Sequence, residues 1–391
     1  MQLHFLKKIK SFLLANMTSS VLMALSVVFT GRLYTPSQFG DFGVFVSLTT
    51  IVSSIMFLRF EQCILNHYKK YSISISQLSA LIGLIIIILL CPVLILYGLV
   101  GVALCSFFIC LNSVYVFFCT RHLKYNEAGW IGLIRVVIMI IVQVMLSDSD
   151  LNGLIVGYAS SYVITTVPFI ITICKVLPKK TILTALLKRN VTYCLYGLPQ
   201  TLLNTMLNNL VPLFLSAVYS VVIVGYYTMA MRCIQLPHRV IVNAIRGVVT
   251  STYSDKSKSQ RKSFFYKSTV LLFLIAAIIF PIGVVSADSI IEISIGIQWL
   301  PASSIVAILS IWMFFSFINV PAISYLSFTK NTKALLKMEV FFGFLKISSG
   351  FISWILNLDH LIFLGIFSVV SAMHSAYAIF YVHRGFGETS Y

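Results

Sequence analysis

Residues Val222–Val249, VIVGYYTMAMRCIQLPHRVIVNAIRGVV, form an apolar run of helix length that carries three arginines, Arg232, Arg239 and Arg246, seven residues apart. At about 100° per residue, seven residues make nearly two turns, so the three guanidinium groups share one stripe that drifts by roughly 20° per heptad. A charge facing hydrocarbon at mid-membrane costs about 2.5 to 3.5 kcal/mol even on the lenient insertion scale. The stripe is therefore expected to face a bundle interior or a water-filled cavity, and a cavity lined with guanidinium groups suits an anion.

The rest of the chain has the composition that makes this a membrane segment. Of 391 residues, 59% are hydrophobic and only 10% charged, and the mean hydropathy of +0.97 lies far from that of soluble domains. At about 20 apolar residues per span, the length holds about twelve transmembrane helices and leaves no room for a separate soluble domain. Spans are placed near 11–30, 41–60, 76–97, 100–118, 130–147, 151–173, 193–218, 222–249, 267–287, 302–326, 335–356 and 360–382. The N-terminus has the look of a signal peptide, but its apolar part runs on to Thr30 without a small-x-small cleavage site, so a retained first helix is expected.

Net charge is +17, and its distribution reads as topology rather than nucleic-acid binding. Lys7, Lys8 and Lys10, Lys69 and Lys70, Arg121 and Lys124, the cluster from Lys175 to Arg189, the cluster from Lys256 to Lys267, Lys330, Lys333, Lys337 and Arg384 all fall on one side of the twelve-span arrangement. The loops of the other side hold Arg32 alone, with acids such as Asp148, Asp150, Asp288 and Asp359. The excess of lysine and arginine on one side places both termini in the cytoplasm. The eight cysteines show no Cys-x-x-Cys pair and no regular spacing with histidine, so they read as small apolar fillers.

Six basic residues remain inside spans: Arg59, Arg135, Arg232, Arg239, Arg246 and Lys346, accompanied only by Glu61 and Glu339. The membrane interior is net positive. Guanidinium groups bind phosphate bidentately and do not deprotonate, whereas a buried lysine can exchange a proton. On a helix, Arg59 and Glu61 would point some 200° apart and seek separate partners. Pro199 and Pro237 are expected to kink spans 7 and 8. Tyr97, Trp130 and Trp299 read as interface anchors.

An internal repeat divides the chain. GRLYTPSQFGDFGVF (31–45) and SAVYSVVIVGYYTMA (216–230) share Tyr34, Gly40 and Phe42 with Tyr219, Gly225 and Tyr227, all three pairs at one constant offset close to half the chain. Six spans separate the copies, so both have the same orientation, as in halves related by an axis along the membrane normal. Between them, KVLPKKTILTALLKRN (175–190) has lysines at both ends of a short amphipathic run, which suits a helix lying on the inner leaflet. The expected organisation is a six-helix bundle over 1–178, a cytoplasmic linker at 179–190 and a second six-helix bundle over 191–391.

GRLYTPSQFGDFG (31–43), LRFEQ (58–62), VGYYTMAMRCIQLP (224–237) and WLPAS (299–303) together resemble the Wzx-type polysaccharide flippases of the multidrug/oligosaccharidyl-lipid/polysaccharide exporter superfamily. The resemblance runs over essentially the whole chain in length, span count and motif order. It implies an all-α polytopic membrane protein with two six-helix bundles around a central cationic cavity. It also implies a substrate in which an O-antigen or capsular oligosaccharide unit is carried on undecaprenyl pyrophosphate and moved across the bacterial inner membrane to the periplasmic face by alternating access. The family's Arg-Tyr-Glu pattern falls on Arg59, Phe60 and Glu61, with phenylalanine in place of tyrosine.

The substrate-binding candidates are thus Arg232, Arg239, Arg246, Arg135, Lys346, Arg59 and Glu61. No catalytic group, cofactor or metal is implied, nor any nucleotide motif, so energy would come from an H+ or Na+ gradient, the membrane potential or consumption of product. Partners would be membrane lipids, a polymerase and a chain-length regulator. A drug/cation antiporter of the same superfamily would need carboxylates in the cavity, which are scarce here. A polymerase or ligase would need a large outer loop, which is absent. A teichoic-acid or exopolysaccharide exporter differs only in substrate.

Overall fold

A computed structural model of the chain describes residues 2–66, 68–176, 180–192, 198–235, 242, 253, 258–329 and 332–387. The described residues are helical with no strand, so the protein is all-α and polytopic. In chain order the principal helices are α1 (Gln2–Leu33), α2 (Pro36–Met56), α3 (Ser72–Leu96), α4 (Val100–Arg121), α5 (Tyr125–Met145), α6 (Gly153–Cys174), α7 (Lys180–Thr192), α8 (Leu198–Val218), α9 (Val221–Gln235), α10 (Lys258–Val285), α11 (Ala287–Ile295), α12 (Pro301–Ile318), α13 (Val320–Phe328), α14 (Thr332–Ile355) and α15 (His360–Gly387). Among the described residues nine helices are long and apolar enough to cross a membrane, and two shorter apolar helices, Met17–Leu33 and Val221–Gln235, stand beside them.

The described residues gather into two compact units, one of residues 1–34 and 41–213, the other of 35–40 and 214–391. Within the first, α1 packs on α5, α5 on α6, α4 on α6 and α3 on α4. Within the second, α14 packs on α15, α12 on α15 and α10 on α12. The pairs α3–α4, α4–α6 and α5–α6 of the first unit have counterparts in α10–α12, α12–α15 and α14–α15 of the second, which is the packing an internal repeat produces.

The repeat is also visible residue by residue. Thr35 and Gln38 form a reciprocal capping box at the start of α2: the Thr35 amide donates to Gln38 Oε1 (2.9 Å) and the Gln38 amide to Thr35 Oγ1 (3.4 Å). Ser220, the counterpart of Thr35 in the second copy, caps α9 by accepting from the Ile223 amide at 3.3 Å. Tyr34 donates its hydroxyl to the Gln143 carbonyl near the end of α5, and Tyr219 donates to the Leu358 carbonyl between α14 and α15 (2.8 Å). Tyr34 therefore ties the end of α1 to the end of α5, and Tyr219 ties the end of α8 to the junction of α14 and α15.

The linker helix is not loose. Leu186 of α7 is buried, and Ile182 and Leu183 pack with it against a cluster that holds Phe57, Phe60, Ile64, Phe118 and Phe169. Gln77 of α3 donates to the carbonyls of Ile173 (2.8 Å) and Val176, closing the C-terminal end of α6 with a side chain.

Two sequence expectations need correction. Span 2 does not run as a helix through Arg59: α2 ends at Met56, and Leu58 and Arg59 take left-handed φ of 48° and 66° before a 3-10 turn over Phe60–Gln62. The residues just before α8, which begins beside Pro199, lie outside the described residues; the proline inside α8 is Pro212. Trp299 is no interface anchor, since it is fully buried with Phe39 edge-on at 5.0 Å. Pro237 lies outside the described residues.

Candidate functional site

Arg232 sits near the end of α9, half-buried, with its guanidinium 5.1 Å from the centre of the Phe39 ring. Phe39 is itself fully buried. Its other neighbour Trp299 also receives Tyr226 of α9 edge-on at 6.2 Å. The aromatic residues of the GRLYTPSQFGDFG and WLPAS motifs thus form the wall on which the first arginine of the stripe rests. Arg239 and Arg246 lie outside the described residues.

Lys346 of α14 is buried, 6% exposed, with its ammonium 5.7 Å from the Phe367 ring of α15. One helical turn earlier, Phe342 stacks on His374 of α15 at 4.8 Å. A lysine placed this deep has an aromatic face to offset part of its lost hydration, and Glu339 and His374 act on it or respond to it electrostatically.

Arg135 of α5 donates to the Tyr162 hydroxyl of α6 and lies over the same ring, 4.7 Å from its centre. Tyr158 meets Tyr162 edge-on at 5.1 Å and Phe42 at 5.7 Å, and Asn112 donates to Thr165 at 3.3 Å on the facing side of α6. This cluster brings a cation, two phenols, an amide and a hydroxyl into one stretch of the first unit, a mixture suited to a polar ligand with flat faces.

Arg59 and Glu61 lie in the break after α2 rather than on a helix. Arg59 Nε and Glu61 Oε2 are buried and make no hydrogen bond with the described residues. Burial pushes the Glu61 carboxyl up from its ordinary value, while its own amide and the Arg59 charge pull it down. Consecutive left-handed, non-glycine residues beside buried ionisable groups are costly, at about 1 to 3 kcal/mol each for the backbone alone, and such strain concentrates at functional sites.

The structure therefore places Arg59, Glu61 and Arg135 in the first unit and Arg232 and Lys346 in the second. Tyr158, Tyr162, Phe39, Phe367 and His374 were not picked out from sequence. Only the Tyr158/Tyr162 pair left a trace there, four residues apart on one helical face. Among the described residues no three His, Cys, Asp or Glu side chains come together as a metal site.

The polysaccharide biosynthesis protein family model matches residues 29–304. The chain belongs to this family. A comparison with curated proteins finds no match. Among solved structures, the chain is similar to the lipid II flippase MurJ in an inward closed conformation, with 16% identity, a TM-score of 0.74 and coverage of 95% of this chain and 87% of that one. It is also similar to an inward-facing multidrug resistance MATE transporter of the MOP superfamily, at 14% identity and TM-score 0.63, covering 97% and 96%. A third similarity is to a MOP superfamily transporter from Pyrococcus furiosus, at 12% identity and TM-score 0.56, covering 98% and 94%. Family and fold together define a polytopic membrane protein of polysaccharide biosynthesis that shares its fold with the MurJ flippase and the MATE transporters.

Proposed function

We propose that the chain translocates an undecaprenyl pyrophosphate-linked O-antigen or capsular repeat unit from the cytoplasmic to the periplasmic face of the inner membrane. The observation that carries this reading is the set of cations set into membrane helices against aromatic and hydroxyl groups, led by Arg232 on Phe39 and Arg135 on Tyr162. A pyrophosphate head cannot cross about 30 Å of hydrocarbon bare, and a cationic, polar-lined path lowers that cost. The seven candidates Arg232, Arg239, Arg246, Arg135, Lys346, Arg59 and Glu61 would line the path, with the phosphates on the arginines and the sugar on the tyrosine and asparagine groups.

Residues 1–178 and 191–391 would rock against each other about the 179–190 linker, with both termini in the cytoplasm, and an H+ or Na+ gradient or the membrane potential would supply the energy. A polymerase and a chain-length regulator would take the product on the far side. The likeness to MATE transporters supports a drug/cation antiporter as the second reading, but cation exchange needs carboxylates in the membrane, and here cations predominate. A teichoic-acid or exopolysaccharide exporter would share every feature above except the sugar.

The test is complementation of a strain deleted for its own flippase. Arg232→Ala is expected to lower surface polysaccharide at least tenfold at unchanged protein level, with Arg232→Lys restoring part of it, since losing one charge-assisted contact of about 1.5 to 3 kcal/mol has that effect. Full activity of Arg232→Ala and Arg135→Ala alike would remove the cationic path from the account.

A further inference from the structure

The first turns of α2 and α9 cross at contact distance. A methyl group at Gly40 would overlap the carbonyl oxygen of Val221, and a methyl group at Gly225 would overlap the carbonyl oxygen of Pro36. Gly40 and Gly225 are counterparts in the two copies of the repeat, and Pro36 and Val221 are separated by the same offset. One contact is thus made twice, with the two segments exchanging roles. Only glycine allows backbones this close, so the crossing explains why both copies keep a glycine at that position.

Phe39, one residue before Gly40, packs beside the crossing and lies between Trp299 and the Arg232 guanidinium. Arg232 is two turns beyond Gly225 on the same helix. The arginine assigned above to the pyrophosphate therefore also grips the residue next to the crossing. A guanidinium has one set of charges to share: a bidentate, charge-assisted contact with a phosphate is stronger than a contact with an aromatic face.

We propose that the Gly40–Gly225 crossing is a latch closing the path at the end where α1 finishes, and that Arg232 is the positioning residue that couples it to the substrate. A phosphate arriving at Arg232 draws the guanidinium off Phe39, and the first turn of α2 then parts from α9. The bistable element is the close backbone crossing, which is either fully seated or open because a half-seated glycine contact leaves carbonyl and Cα without neighbours. This coupling rests on the substrate reading above; the latch itself does not.

A cysteine-free protein carrying Val224→Cys, a fully buried position in the first turn of α9, is purified into nanodiscs and its labelling by a maleimide is timed. Phe39→Leu is expected to raise the labelling rate between about two- and tenfold, the range that loss of a cation–π contact allows, and Gly40→Ala, whose methyl would overlap the Val221 carbonyl oxygen, to raise it at least as much. Gly365→Ala, where an added methyl meets nothing, should leave it unchanged. If Gly40→Ala does not accumulate, Phe39→Leu reads the same contact without adding volume. Millimolar inorganic pyrophosphate should speed labelling in the parent and have no effect in Arg232→Gln.

Unchanged labelling in Gly40→Ala and Phe39→Leu would show the crossing to be fixed packing and overturn the latch. Labelling that rises in those variants but ignores pyrophosphate overturns the role of Arg232 alone. Failure of the parent to complement a flippase deletion, with labelling behaving as expected, would instead overturn the substrate assignment and leave the latch standing.

Discussion

His122 follows the last residue of α4 and its Nε2 lies 2.8 Å from Ser72 Oγ at the start of α3. Burial lowers its pKa below the ordinary 6.5, and the charges of Lys69, Lys124 and Arg121 lower it further. The folded protein then binds fewer protons at this ring than the unfolded chain. Stability is accordingly lost as pH falls below 6.5 and levels off once pH drops under the folded value. The melting temperature in detergent should decrease between about pH 7.5 and 5.5, and His122→Gln should flatten that decrease. An identical slope in the variant would assign the acid sensitivity elsewhere. At this scale sequence reading was uneven. Arg232, Arg135 and Lys346 were legible because a charge in an apolar run stands out by its cost. Phe39, Tyr162 and His374 were not, since an aromatic residue in a membrane helix carries no comparable signal. The positions of Leu58 and Arg59 were misread because LRFEQ contains no glycine or proline to announce a left-handed turn.

Elements were more legible than residues. The pattern Tyr-x5-Gly-x-aromatic, repeated about half a chain apart, marks equivalent helix starts, and Thr35 and Ser220 prove to be their equivalent caps. Tyr34 and Tyr219 then anchor corresponding junctions through hydrogen bonds to Gln143 and Leu358. Tyr34→Phe and Tyr219→Phe should each destabilise the protein by about 1 kcal/mol, with Tyr34→Phe the larger because its hydroxyl is fully buried and leaves the Gln143 carbonyl unsatisfied. Thermal melts of the two single variants and the double would check this; additive losses are expected, as the sites share no partner. A negligible effect of Tyr34→Phe would mean that the phenol is there for packing alone. Helix ends were the weakest part of the sequence reading: hydropathy reports apolar content, whereas the ends are set by caps and prolines such as Thr35, Pro36 and Pro301.

For the whole molecule, the lysine and arginine bias makes a prediction that is independent of any site. A green fluorescent reporter fused after Tyr391 should fluoresce and an alkaline phosphatase fused there should be inactive, with the reverse for fusions at Asp148–Asp150. Fluorescence at both positions would break the even-span topology. The repeat was read from the Tyr-x5-Gly-x-aromatic motif, whereas composition and hydropathy alone established an all-α polytopic protein and most of its helix positions, because the bilayer acts as a one-dimensional solvent. Apolar length and charge placement along the chain are enough to read its effect. Only the tertiary structure decided that Arg232 rests on Phe39, that Trp299 is buried rather than interfacial, that Leu58 and Arg59 turn left-handed, and that Gly40 meets the backbone of Val221 while Gly225 meets that of Pro36, half a chain apart in sequence. Those pairings depend on how each helix is rotated and how deep it sits, and close packing between residues distant in sequence sets both.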